Sequence, residues 1–309
     1  MYRFLVDRFL QFMFVIICVP TLTFLLLRVS PGDPAQIMLY ENGVPASEEA
    51  ISYLREELGL TETLAVQYVQ WVSQIIKGQW GTSFVSKEPV LIELVKRLPA
   101  TLELAAAGLF VMLVFTFTFG ITTAIWSKGW LDRIGRLLAL LGSSIPAFWL
   151  GFLLIYVLSV KYGVLPPMGR GSWEHLILPA ITLGFGMGTV YARVLKSNLL
   201  EMMQQNFVKA SKARGLSNTR IILFQVLKHA FLPIVTMLGT SFAFMLGGSI
   251  IVETIFSWPG LGRYIVEAIK HRDYPIIQGY VIFVTILFVL IHLIVDFIYI
   301  LLDPRLRVR

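Results

Sequence analysis

"LAAAGLFVMLVFTFTFGITTAIW", residues 104–126, runs for 23 positions without an Asp, Glu, Lys or Arg. As a helix rising about 1.5 Å per residue it crosses a hydrocarbon core of about 30 Å. It is apolar around its whole circumference, so its surroundings must be apolar too. Working outward, residues 9–27, 137–160, 176–192, 230–252 and 274–291 are equally free of charge. The run at 176–192 is short and needs the Arg193–Leu195 turn, with Arg193 snorkelling to the interface. Six spans make this an all-α polytopic membrane protein. The whole chain agrees, with 56% hydrophobic residues, 15% charged residues and 22 Phe. The first run, 19 residues long and followed by RVSPGDPA, reads as an anchored helix and not a cleaved signal. Cys18 is the single cysteine and lies in that run, so no intramolecular disulfide forms.

The formal charge of +7 raises the possibility of nucleic acid, but the bases lie between apolar runs and none is expected to bind. Their distribution gives orientation instead. Residues 127–136 hold three bases and one acid, and 193–228 hold seven bases against Glu201. Arg3 and Arg8 mark one terminus, and Arg305, Arg307 and Arg309 the other. Residues 29–98 carry nine acids and five bases, and 253–276 are balanced. The positive-inside bias puts both termini, 127–136 and 193–228 in the cytoplasm. The chain thus divides into the N-terminus with its first span (1–28), an extracytoplasmic helical segment (29–98), and a five-helix core (99–309) with a cytoplasmic loop at 196–228. Within 29–98, Ser47 is placed to cap a helix ending at Gly59, and "LAVQYVQWVSQIIKG" (64–78) is a second amphipathic helix.

The sequence has no GxxxxGK[ST], HExxH, GxSxG or CxxC pattern. His175, His229, His271 and His292 make no close-spaced pair, so no metal site or catalytic residue is expected. Asp296 sits near the end of the last span, where pairing with the terminal arginines is the expected role. The spans carry kink signals: Pro146 in "GSSIPAFWLGF", Pro179 in "LILPAITLGFGMG" and Pro233 in "FLPIV". Beside them lie Ser143, Ser144, Gly184, Gly186, Gly188, Gly247 and Gly248, small residues that suit close packing or a pathway lined by backbone.

"KASKARGLSN" (209–218) is a basic, helix-like insert in this apolar chain. Residues 197–213 read as one helix stopped by Gly215, and Ser217 or Asn218 caps a second, forming an elbow.

The elbow, followed by "LKHAFLPIV" (227–235), resembles the coupling loop of permease subunits in bacterial ABC importers, summarised as EAA, three residues, Gly and a later LP. Ala210, Gly215, Leu232 and Pro233 match, while Lys209 and Ser211 replace the Glu and second Ala. These departures resemble the peptide/nickel subfamily. So do "SPGDPA" (30–35), "WGTSF" (80–84), "LPATLELA" (98–105), "FSWPGLGRY" (256–264), "RDYPIIQ" (272–278) and "DPRLR" (303–307). The resemblance implies a type I ABC importer permease fold in the bacterial inner membrane. It implies no cofactor on this chain, with ATP and Mg used by two cytoplasmic ATPase subunits. The other partners it implies are a second, homologous permease in a heterodimer and an extracytoplasmic binding protein. Lys209, Ala210, Ser211, Ala213, Gly215 and Leu216 are then expected to couple to the ATPase. Ser143, Ser144, Gly184, Gly188 and Gly247 are expected to line the translocation pathway. "LPPMGRGSWEHLILPA" (165–180) lacks the long insert of some dipeptide permeases and resembles the nickel-type members, with nickel carried as a chelate and di- or oligopeptides as the alternative. A secondary transporter driven by an ion gradient would need ion ligands near mid-membrane, and the central spans carry no charge.

Overall fold

The computed structural model describes residues 2–29, 33–41, 47–57, 59–127 and 129–302. The described residues form helices joined by short turns, with one isolated β-bridge between Thr82 and Pro89. In order these are α1 (Tyr2–Val29), α2 (Pro34–Glu41), α3 (Glu48–Glu57), α4 (Leu64–Ile76), α5 (Val90–Ile125), α6 (Trp130–Ser144), α7 (Ala147–Leu154), α8 (Glu174–Met202), α9 (Asn206–Ala213), α10 (Asn218–Ile221), α11 (Leu227–Ile255), α12 (Leu261–Lys270) and α13 (Tyr274–Leu302). Two π-helical segments, Ile155–Lys161 and Ile222–Val226, continue α7 and α10.

Among the described residues four helices are long and apolar enough to span a membrane: Leu10–Val29, Val90–Ile125, Glu174–Met202 and Tyr274–Phe297. Two further spans are bent, giving six when each bent pair counts once. The third apolar run shows why. Ile145 (φ −83°, ψ 120°) and Pro146 (φ −62°, ψ 140°) are both extended, and α6 and α7 meet at 109°. A proline disfavours the helical region for the residue before it and offers no N–H to the ladder. The kink expected at Pro146 is therefore a full break. The second bend, 46°, falls between Met237–Gly247 and Ser249–Ile255 in α11. Pro179 sits inside an unbroken α8. Pro233 is within α11, but its side chain and that of Leu232 lie outside the described residues, as do the terminal arginines expected to pair with Asp296.

The chain forms two compact units. The first is built from Met1–Pro99 and Arg263–Leu290. In it Phe24, fully buried, packs against Tyr68 and Trp71 at ring distances of 5.4 and 5.3 Å. Tyr68 and Thr21 share a 2.6 Å hydrogen bond, fixing α4 on α1. Ser47 caps α3 through Ala50 N–H at 3.2 Å, and Gly59 and Gly78 take the positive φ that ends each amphipathic helix. Phe24, Val90 and Leu94 are fully buried, and their close packing contributes dispersion contacts to this unit.

The second unit comprises Ala100–Gly262 and Ile291–Leu306. Its central seam joins α5 to α8 by small residues. A Cβ on Gly184 would lie 2.3 Å from the Gly108 carbonyl oxygen, and one on Gly188 would lie 2.8 Å from Phe115 Cβ. Only glycine permits this approach of backbones, whose gain is close dispersion contact along the seam.

Candidate functional site

The elbow differs from the single helix expected over residues 197–213. Helix α8 ends at Met202, Gln205 is extended (ψ 154°), and α9 begins at Asn206. The cause lies in helical phase. Leu199 and Val208 are nine residues apart, about 900° or half a turn out of phase in a continuous helix. Both are nonetheless fully buried in one cluster with Leu195, Ile221, Ile222 and Val226. The break brings both onto the same core.

Beyond α9 the chain turns at Gly215, whose φ is +80°. Ser217 then caps α10, its Oγ accepting from Arg220 N–H at 3.3 Å. Ser211 is buried, and its hydroxyl donates to Gln225 Oε1 at 2.7 Å, tying α9 to the following π segment. Leu216 packs on the same core cluster. Lys209, Ala210, Ala213 and Gly215 face solvent, and Phe207 is exposed one turn before Ala210, its ring 5.8 Å from that of His229. The six coupling residues therefore divide: Ser211 and Leu216 hold the elbow's shape, and the other four lie on its outer surface. Phe207 extends that surface, and its spacing of three from Ala210 was the available sequence signal.

The five pathway residues also separate. Gly184 and Gly188 are buried in the seam against α5, so their surfaces are occupied by protein. Ser143 is exposed but its hydroxyl donates to the Ala139 and Leu140 carbonyls of its own helix, at 2.9 and 3.0 Å. Ser144 is exposed. Gly247 is exposed as well, with open space where a Cβ would go.

Two charged centres escaped the sequence reading. Glu253, counted there with the loop 253–276, lies in the last turn of α11 and is fully buried. Its Oε1 accepts from Thr101 Oγ1 at 2.8 Å and from Ser249 Oγ at 2.9 Å. Thr101 Oγ1 in turn accepts from Leu261 N–H at 2.8 Å, while buried Trp258 donates to the Ala100 carbonyl at 2.7 Å. These bonds clamp "SWPGL" to the head of the spanning part of α5. The i, i+4 spacing of Ser249 and Glu253 was the signal available. At the other end, buried Asp132 of α6 pairs with Arg136 and with Lys196 of α8. Among the described residues, no group of three or more His, Cys, Asp or Glu side chains is placed to hold a metal.

Broken spans, a glycine-faced helix seam and a helical elbow offered to solvent define a membrane permease. Residues 116–308 match the family described as binding-protein-dependent transport system inner membrane component, and residues 1–105 match its N-terminal membrane component. The chain belongs to this family and is a permease subunit of an ABC importer. It is 38% identical, over 309 residues and the whole of both chains, to the glutathione transport system permease protein GsiC of Salmonella typhimurium (strain LT2) and to that of Escherichia coli (strain K12). Among solved structures, it resembles an inward-facing MetNI methionine ABC transporter with 22% identity and a TM-score of 0.56, over 70% of this chain and 99% of that one. A crystallised amino acid ABC transporter matches with 16% identity and a TM-score of 0.53, over 70% and 94%. These two likenesses establish the fold.

Proposed function

We propose that this chain forms half of the translocation pathway of an ATP-driven importer for small peptide-type solutes. A second, homologous permease supplies the other half, two ATPase subunits bind the cytoplasmic side, and a binding protein delivers substrate to residues 29–98. Both termini lie in the cytoplasm on this reading, following the charge bias. ATP and Mg bind to the ATPase subunits, and conformational change reaches the spans through the exposed face of α9, with Lys209, Ala210, Ala213 and Gly215 at the contact. The pathway runs past Ser143, Ser144 and Gly247.

The observation that carries the substrate class is full-length 38% identity to permeases named for glutathione, itself a small peptide. It favours the peptide alternative over nickel. The short connection between the π segment after α7 and α8 keeps a nickel chelate as the second reading. The test uses the assembled transporter in proteoliposomes with its binding protein. Di- and tripeptides, glutathione included, should stimulate ATP hydrolysis and enter the vesicles. Stimulation by a nickel chelate alone would reverse the order of the two readings.

A further inference from the structure

The first unit holds a half-open cavity of about 190 Å³, apart from the coupling elbow and from Ser143, Ser144 and Gly247. The last turn of α1, helix α4, the "WGTSF" turn and the first turns of α13 all contribute to its walls. Its apolar lining includes Leu27, Trp71, Ile75 and Trp80, and three glutamines, Gln74, Gln79 and Gln278, also line it. Among the described lining residues Arg28 is the one charged side chain, and no acid accompanies it.

Two polar atoms in this cavity lack hydrogen-bond partners. Arg28 Nε and Tyr274 Oη are both shielded from solvent and unbonded, and Tyr274 as a whole is only 8% exposed. The guanidinium lies 5.2 Å from the Phe24 ring centre, a contact to its face that does not satisfy the in-plane Nε donor. Buried polar groups are ordinarily paired, and an unpaired donor beside an unpaired hydroxyl calls for an acceptor between them. A cation with no acid among its described neighbours favours an anionic acceptor.

Position narrows the chemistry. Arg28 ends an apolar membrane helix, and with Trp71, Trp80 and Tyr274 it forms the aromatic and basic belt found at headgroup depth. A planar guanidinium matches phosphate oxygens. We propose that this cavity binds the phosphodiester of an anionic phospholipid with a polyol headgroup, through Arg28 and Tyr274. The glutamines receive headgroup hydroxyls, and the apolar wall of Leu27, Trp71, Ile75 and Trp80 borders the start of the acyl chains. A zwitterionic headgroup would bring an ammonium for which the described lining offers no acid.

The test is lipid retention by the assembled transporter, exchanged into mixed phosphatidylglycerol and phosphatidylcholine and read by native mass spectrometry. Wild type should hold phosphatidylglycerol selectively, and excess inorganic phosphate should not displace it. Arg28→Gln should lower retention about tenfold, as expected for loss of a charge-assisted contact, and Arg28→Lys should lower it less. Tyr274→Phe removes one oxygen and should lower retention severalfold. Equal retention in Tyr274→Phe and Arg28→Gln overturns the site, as does equal binding of phosphatidylcholine. If Arg28→Gln does not assemble, Tyr274→Phe alone decides. Displacement by inorganic phosphate or by a free peptide carboxylate also overturns the lipid and assigns the cavity to a soluble anion.

Discussion

Ser83 Oγ donates a 2.5 Å hydrogen bond to Asp273 Oδ2 across 190 residues of sequence, joining the "WGTSF" and "RDYPIIQ" segments. Both side chains are 2% exposed. The same carboxylate accepts from Val85 N–H at 3.4 Å, and its other oxygen accepts from Ile276 N–H at 3.4 Å, capping α13. One carboxylate thus closes the turn after α4 and starts the last span. Asp273→Ala leaves the Ser83 hydroxyl and a helix start unsatisfied, at a cost of about 1–3 kcal/mol. Thermal unfolding in detergent should show a clear drop for Asp273→Ala and a smaller one for Asp273→Asn, which keeps one acceptor. Unchanged unfolding in both variants would remove the latch from the account.

This latch shows what the sequence leaves hidden. Both segments were recognisable as motifs, but no local pattern says that they touch. The spans, by contrast, were legible because an uncharged run of 20 residues has few alternatives. Pro146 was legible as a disturbance, though not its 109° angle, which depends on Ile145 also leaving the helical region. The break between Met202 and Asn206 was missed because residues 197–213 all tolerate helix. Only the opposed phases of Leu199 and Val208 betray it, and only once both are known to be buried. Glu253 was missed for a related reason: a charge looked like the end of a span, whereas Ser249 and Thr101 solvate it inside.

A second consequence concerns alkaline pH. Tyr264, on α12 outside the spans, is half-buried, with the Arg97 guanidinium 3.6 Å from its ring centre. Its phenol is pushed up to about 12, first by burial and then by the nearby Glu93 carboxylate, which Arg97 partly offsets. In the unfolded chain it ionises near 10. The folded form therefore holds its full advantage below pH 10 and loses it as pH rises from 10 toward 12. Difference absorbance between wild type and Tyr264→Phe should reveal one late-titrating phenol. Titration of that phenol near 10 would contradict the assigned surroundings.

Gly188 and Gly247 separate packing from passage. Leucine at Gly188 meets Phe115 and the Met112 carbonyl at or below 3.0 Å, an overpacking that costs about 1–3 kcal/mol or more. A Cβ at Gly247 meets nothing within 4 Å among the described residues. Gly188→Leu should lower the unfolding temperature and the yield of assembled complex. Gly247→Leu should leave both unchanged and reduce uptake by obstructing the proposed pathway. Normal uptake by a fully assembled Gly247→Leu transporter would move the pathway elsewhere.

The elbow gives the most direct test of coupling. Gly215 holds φ at +80°, which costs a residue bearing a Cβ about 1–2 kcal/mol, and more when it is β-branched. Gly215→Val should therefore redirect α10 and tilt α9. Ala210→Glu acts differently, leaving the turn intact and setting a large anion on the exposed face beside Phe207. Ser211→Ala is the internal control, because it cuts the 2.7 Å bond to Gln225 inside the elbow without altering the outer face. All three should insert in the membrane normally, since the spans are untouched. Binding-protein-stimulated ATP hydrolysis should be lost in Gly215→Val and Ala210→Glu, whereas Ser211→Ala should retain part of it. Ala210→Glu should also release the ATPase subunits during purification. Full stimulation in both Gly215→Val and Ala210→Glu would mean that the exposed face of α9 transmits nothing and that coupling runs through another cytoplasmic segment.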